Sequence, residues 1–386
     1  MPLLARRRTI LARIETTYGV DPTPTGASHA ILVRNLEITP LDQDLASRDL
    51  IRPFLGSSEQ LPAANRVRVS FDVEMAGSGT AGTAPAWGPL MRACAFAETA
   101  LATAHTGTAT AGTATTATLA ASASAVTDAY RGMLIRLTGG TGSGQQRVIT
   151  AYNGTTKVAT VSPAWGTTPT GTSTYSIDQQ VTYAPVSSSF DSVTIYANVD
   201  GVLHRLTGGR GTVTFELTNK QIPVLKFAFT GLFNAVTDTA APAVNYGLFQ
   251  TPLVVNNVNT TPFTLHGVSA IMSALSIDMA NEVIHRTLVG GSESVLITNR
   301  APAGNITIEA DTVAFSDWWT RVRNVTLGGL DITHGTVAGN RVQIYSGLVQ
   351  LTSPQYQDMD GVQMLQMNTV FTPSTAGNDE IFVIAR

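Results

Sequence analysis

NRVRVSFDVEM (65–75) decides the fold class. Val67, Val69, Phe71, Val73 and Met75 alternate with Arg68, Ser70, Asp72 and Glu74. Successive strand side chains point to opposite faces, so a strict period of two means one buried face and one wet face. The pattern of apolar, hydroxyl and acidic residues returns in TVTFEL (212–217) and NITIEA (305–310). Either part of the chain is duplicated or water-facing strands converge on this composition, and convergence is the simpler reading.

Other strands follow on both sides of that segment. SVTIYANVDGVLHRLTGG (192–209) reads as a hairpin turning at Asp200-Gly201, and VLKFAFTGLF (224–233) and RVQIYSGLVQL (341–351) continue the series. PLMRACAFAE (89–98) reads as one short helix with Pro89 in its first turn and Cys94 on its buried side. AFSDWWTRVRNV (314–325) is the only other stretch with helical spacing. A mainly β fold is therefore predicted.

Four zones divide the chain. Residues 1–62 hold Asp21-Pro22-Thr23-Pro24, Thr39-Pro40, Arg52-Pro53 and Leu61-Pro62, which predicts an extended N-terminal arm and loops with one short strand near Ile31–Ile38. Residues 63–107 begin the core. Residues 108–178 change composition abruptly: between Glu98 and Asp128 the only ionisable side chain is His105. TAHTGTATAGTATTATLAASASA (103–125) predicts a linker or weak strand pair. MLIRLTGG (133–140), QQRVITAYNG (145–154) and KVATVSPAW (157–165) are short strands, with a hairpin turn at Asn153-Gly154. This zone reads as an inserted small all-β module, and residues 179–386 resume the core.

Charge narrows the function. Charged residues are 13% of the chain, against roughly 25% in ordinary globular proteins. A lone monomer needs a charged surface to stay soluble, whereas a subunit covered by neighbours does not. Residues 181–386 carry ten basic and fifteen acidic side chains, the wrong sign for gripping phosphates. Cys94 is the only cysteine, which excludes disulfide scaffolds and thiolate metal clusters within one chain. No stretch is long and apolar enough to predict a membrane span, and the start lacks a signal-peptide pattern.

Local strings that invite an enzymatic reading fail on context. GGTGSGQ (139–145) lacks the Lys and the following helix of a phosphate-cradling loop. His29, His105, His204, His266, His285 and His334 show no metal-ligand spacing, and no nucleophile elbow appears. No catalytic, cofactor-binding or metal residue is predicted, and no cofactor.

Three blocks resemble phage tail tube proteins, the major tail proteins of long, non-contractile-tailed bacteriophages. They are RIETTYGVDPTPTGASHAILVRNLEITPL (13–41), SRDLIRPFLGSSEQLPAANRVRVSFDVEMAGSGTAGTAPAWGPLMRACAF (47–96) and SFDSVTIYANVDGVLHRLTGGRGTVTFELTNKQIPVLKFAFTG (189–231). The resemblance implies a β-sandwich or barrel core with a flanking short helix. Subunits would form hexameric rings that stack into a conduit for genome delivery. It also implies partners: other copies of the chain, the tape measure, tip and terminator proteins, and DNA in transient non-specific passage. The place would be the virion tail, assembled in the host cytoplasm without membrane insertion. Residues 108–178 depart from the usual subunit and are expected on the outer surface. Competing readings are a glycan-binding or depolymerase protein of the virion and a tail completion or connector ring.

If the apolar sets of the three alternating strands point inward, Asp72, Glu74, Glu216 and Glu309 share the wet face. On a tube subunit that face turns either outward or to the lumen. The lumen is preferred, because carboxylates there repel passing phosphates over a Debye length of roughly 8–10 Å.

Overall fold

The computed structural model describes residues 2–386. Its first group of elements is β1 (Arg8–Ile14), α1 (Gly26–His29), β2 (Ala30–Ile31), β3 (Arg34–Ala46), β4 (Leu61–Glu74), α2 (Gly88–Ala93) and β5 (Phe96–Leu101). Next come β6 (His105–Thr108), β7 (Ala111–Thr113), β8 (Thr116–Thr118), β9 (Leu134–Gly139), β10 (Gln146–Asn153), β11 (Val158–Ser162) and β12 (Thr174–Ile177). The chain returns through β13 (Gln180–Pro185), β14 (Val193–Val199), β15 (Val202–Thr218), β16 (Val224–Phe233) and β17 (Thr237–Asp238). The last group is β18 (Thr260–Leu265), β19 (Met272–Asp278), β20 (Asn281–Leu288), β21 (Ser292–Arg300), β22 (Ala303–Glu309), α3 (Trp318–Arg323), β23 (Leu327–His334), β24 (Val342–Met359), β25 (Val362–Phe371) and β26 (Phe382–Ala385). No helix among the described residues is long and apolar enough to cross a membrane.

The period-two segments bury as their alternation requires. Val67, Val69, Phe71 and Val73 of β4, Val213, Phe215 and Leu217 of β15, and Ile306 and Ile308 of β22 all enter one core. Each such side chain contributes about 1.5–3 kcal/mol when fully removed from water. Cys94 lies in the same core, where burial pushes its thiol well above the ordinary value. The fold is thus a mainly β sandwich, with the long strands β15 and β24 running from one layer into the other.

The strand order reveals two equivalent halves. β3, β4, β16 and β15 lie side by side in that order, all antiparallel. β19, β22, β25 and β24 repeat it. Outside each set, β1 pairs with β14 and β14 with β15, while β18 pairs with β23 and β23 with β24. Each half also carries a buried tryptophan at a short helix, Trp87 at α2 and Trp318 in α3. Residues 67–74 and 305–309 fall in the equivalent strands β4 and β22, which fits duplication as the origin of this part of the repeat. The TVTFEL pattern lies in β15, a different element, and is convergent.

The halves join edge to edge. β15 pairs with β19 from Thr214 opposite Asp278 to Thr218 opposite Ala274. An eight-strand run results, in the order β3-β4-β16-β15-β19-β22-β25-β24.

Between α2 and β14 the first half carries β5, β6 to β12 and β13, where the second half passes from Arg323 to Leu327 almost directly. β6 to β12 form their own seven-stranded sheet, ordered β6-β12-β9-β10-β11-β8-β7, around Ile135, Ile149, Tyr152, Tyr175 and Ile177. Its outer residues Val148 and Leu134 pack on Tyr345, Phe382 and Ile384 of the sandwich. The Gln180 side chain accepts from Leu134 N at 2.8 Å and donates to Leu134 O at 3.1 Å. Arg131 lies 5.8 Å over the Phe382 ring and donates to the carbonyls of Gly377 and Asn378.

Several expectations need correction. Residues 1–62 hold far more strand than one short piece: β1 lies between β2 and β14 with Ile10, Leu11 and Ala12 buried. β3 runs for 13 residues, and Pro40 and Pro62 fall at its register shifts with β4, where a missing N–H disturbs little. The helix expected over 89–98 ends at Ala93; Ala95 turns left-handed at φ 65° and Phe96 begins a strand opposite Pro185. The 103–125 stretch is neither linker nor a single pair, since it supplies β6, β7 and β8. Asp200 and Gly201 take positive φ at 47° and 98°, as a two-residue hairpin turn needs. The Asn153 turn differs: Lys157, not Asn153 or Gly154, takes the positive φ, and Asn153 Oδ1 accepts from the N–H groups of Thr155 and Thr156.

Candidate functional site

The wet face begins on β4, β16 and β15. Glu74 and Glu216 stand opposite Val224 from either side, and Asp72 stands opposite Lys226. Strands lie about 4.8 Å apart, so Glu74 and Glu216 are two strand spacings from each other. The Lys226 ammonium reaches the Glu216 carboxylate at 2.7 Å, Asn35 Nδ2 donates to Asp72 at 2.7 Å, and Arg34 lies 3.6 Å from Glu74. These three acids therefore form one polar cluster with cations threaded through it.

Glu309 belongs to the same sheet face but not to that cluster. It stands opposite Met364, which stands opposite Gln357. The row Glu309–Met364–Gln357 in the second half matches Glu74–Val224–Glu216 in the first. Between the two rows the face carries Thr214, Thr218, Ser276, Asp278 and Asn305, together with the small Ala274 and Ala303. The alternation rule thus places all four predicted acids on the side away from the core.

Sequence reasoning placed Arg68 on this face but missed Lys226. Lys226 alternates with the buried Leu225 and Phe227, so the same period-two rule applied to VLKFAFTG would have found it. Arg66 and Arg68 also lie outside the core, and both reach Asp42 at 2.7 Å. Each of these cations is matched to a carboxylate of its own sheet.

The β20–β21 hairpin borders the face, and a partly buried polar network fixes it. Arg210 lies 5.0 Å over the Tyr18 ring and donates to Val295 O of β21 at 2.8 Å, while Val295 N donates to the Tyr18 hydroxyl at 2.6 Å. Burial raises the Tyr18 phenol above its ordinary value, the Val295 N–H acting against it. Glu15, itself buried, accepts from Gly19 N, Ser192 Oγ, Thr194 Oγ1 and Gly208 N at 2.6–2.7 Å. Gly208 takes φ 61° there, and a Cβ would lie 2.8 Å from the Tyr18 hydroxyl, so only glycine fits. No signal in the sequence marked Glu15, because three of its four partners lie 177 to 193 residues away.

Among the described residues, no three His, Cys, Asp or Glu side chains come together as a metal site would require. What the arrangement offers is a broad polar sheet, acid-rich, whose bases are already paired. No curated protein matches the chain. A family model described as phage tail tube protein matches residues 5–373, nearly the whole length. With a mainly β sandwich and that match across both halves, the chain belongs to the phage tail tube protein family, structural proteins of the phage tail.

Proposed function

We propose that the chain assembles with copies of itself into stacked rings forming a tail tube, with the wet face of the eight-strand run lining the channel through which DNA passes. The observation that carries this reading is the shared face of Asp72, Glu74, Glu216 and Glu309 on one continuous sheet. DNA binds proteins largely by exchanging its counterions for Lys and Arg. A wall whose bases are held by its own carboxylates, as Lys226 is by Glu216, offers few cations for that exchange. Hydroxyl and amide groups between them keep the wall hydrated without gripping phosphate.

The residues 108–178 module is consistent with an outer position. Tyr345, Phe382 and Ile384, on which it packs, alternate with the core residues Ile344 and Val383. The module therefore sits across the sandwich from the wet face. A tube of this kind presents its ends to tip and terminator proteins and its channel to a tape measure protein, in a virion tail assembled in the host cytoplasm.

The test is charge reversal. Glu216→Lys combined with Glu309→Lys should leave tubes intact and slow genome delivery several-fold, more so at low ionic strength, where screening is weakest. Normal tubes with unimpaired delivery at every salt concentration would place these carboxylates away from the channel.

A further inference from the structure

The junction between the two halves of one chain has two unmatched counterparts at the ends of the same sheet. β3 pairs only with β4 among the described residues, and β24 beyond Leu351 pairs only with β25. We propose that β3 of one copy pairs antiparallel with the outer part of β24 of the next copy, repeating between chains the β15–β19 junction within the chain. This rests on the ring reading above and specifies its contact.

The equivalence of the halves gives the register. The row Val73–Leu225–Phe215 matches the row Ile308–Leu365–Tyr356. Within the chain, Phe215 stands opposite Ile277 of β19 and Glu216 opposite Ser276. β3 is the first-half equivalent of β19, and a one-residue register shift interrupts each near the same end, between Arg34 and Glu37 and, one position away, between Met272 and Ala274. Carrying the junction over sets Tyr356 against Ile38 of the next copy and Gln357 against Glu37 of the next copy.

Burial supports the assignment. Phe215, covered by β19, is 0% exposed, whereas Tyr356 in the equivalent place is 61% exposed. An aromatic side chain on the core side of a sheet, left open at its edge, is the feature a neighbouring strand would cover. Tyr356 is partly prepared for that neighbour by Trp319, whose ring lies 5.4 Å away.

The hairpins make the same point independently. In the second half, β20–β21 leaves β19 and β22 and leans on β15 and β16 of the first half, burying Val295. The matching part of the first half is the outer end of the β3–β4 hairpin, where β3 makes no comparable contact with any element other than β4. It carries Leu45, Ile51, Phe54 and Leu55 exposed to solvent. In the proposed contact it leans on β24 and β25 of the adjoining copy.

Such a contact joins two different surfaces, head to tail, and closes into a ring when the rotation permits. Each chain then supplies two repeat units. A six-lobed ring, the outline implied by the family resemblance, would contain three chains instead of six.

The test is site-directed disulfide formation in full-length protein, where the native Cys94 is buried and does not compete. Glu37→Cys with Gln357→Cys should yield covalent multimers on mild oxidation of assembled protein, since directly opposed strand residues bring their Cβ atoms within disulfide reach. Glu216→Cys with Ser276→Cys should cross-link inside one chain without changing its mass. Glu37→Cys with Met359→Cys, two residues out of register on the same face of β24, should stay monomeric on denaturing gels. Rings seen by electron microscopy with no Glu37–Gln357 linkage, or linked as readily out of register, would overturn the pairing while sparing the tube reading. Absence of rings or tubes under all conditions would overturn the tube reading itself.

Discussion

Tyr356→Lys is expected to leave the isolated chain folded and to abolish its assembly. Tyr356 is largely exposed in the single chain, so the substitution should change monomer stability by no more than about 0.5 kcal/mol. In the assembled state the lysine would sit beside Ile38 of the next copy, where an unpaired buried ammonium costs roughly 3 kcal/mol or more. Every contact in the ring carries that cost once, so the concentration needed for assembly should rise more than about 100-fold, each 1.4 kcal/mol being a factor of ten. Circular dichroism should be unchanged while light scattering from assemblies disappears. Tyr356→Phe should assemble normally. Assembly of the lysine variant at the wild-type concentration would show that the outer part of β24 is not an interface.

Removing the seven-stranded module should have the second largest effect, and its outcome depends on what the module covers. Leu101 of β5 stands opposite Gln180 of β13, so the strands flanking the module are already hairpin neighbours that a short turn can join. The sheet starts at His105, which moves the cut from 108–178 to about 104–178. Deletion leaves the sandwich core in place but uncovers Tyr345, Phe382 and Ile384. Losing that cover should cost roughly 5 kcal/mol and make the protein prone to aggregate. Adding Phe382→Thr and Ile384→Thr, both outward positions once the module is gone, should restore solubility and allow thinner tubes. A variant that still fails to fold after those changes would make the module an integral part of the sandwich.

Legibility in the sequence followed the range of the interaction. Val67, Val69, Phe71 and Val73 were readable because a strand with one buried face writes its own period. Asp200-Gly201 was readable because a two-residue turn fixes its φ angles locally. The end of α2 was not, since Ala97 continues the helical spacing and only the pairing of Phe96 with Pro185 stops the helix. β1 was masked by the prolines that follow it, although Ile10 and Ala12 are core residues. The equivalence of the halves was hidden for two reasons. The module separates β4 from β15 in one half, and the hairpin between β19 and β22 is broken into a separate pair, whereas β3–β4 is continuous. The acids of the wet face were legible residue by residue; their pairing with Lys226, Arg34 and Asn35 across strands was not, because cross-strand partners depend on register.

Cryo-electron microscopy of the purified full-length chain, followed across concentration, tests the central claim most directly. The account predicts hollow tubes of stacked rings whose channel is lined by the sheet face bearing Glu74, Glu216 and Glu309. Monomers at every concentration, or tubes whose channel is lined by the module or by the opposite layer of the sandwich, would contradict it.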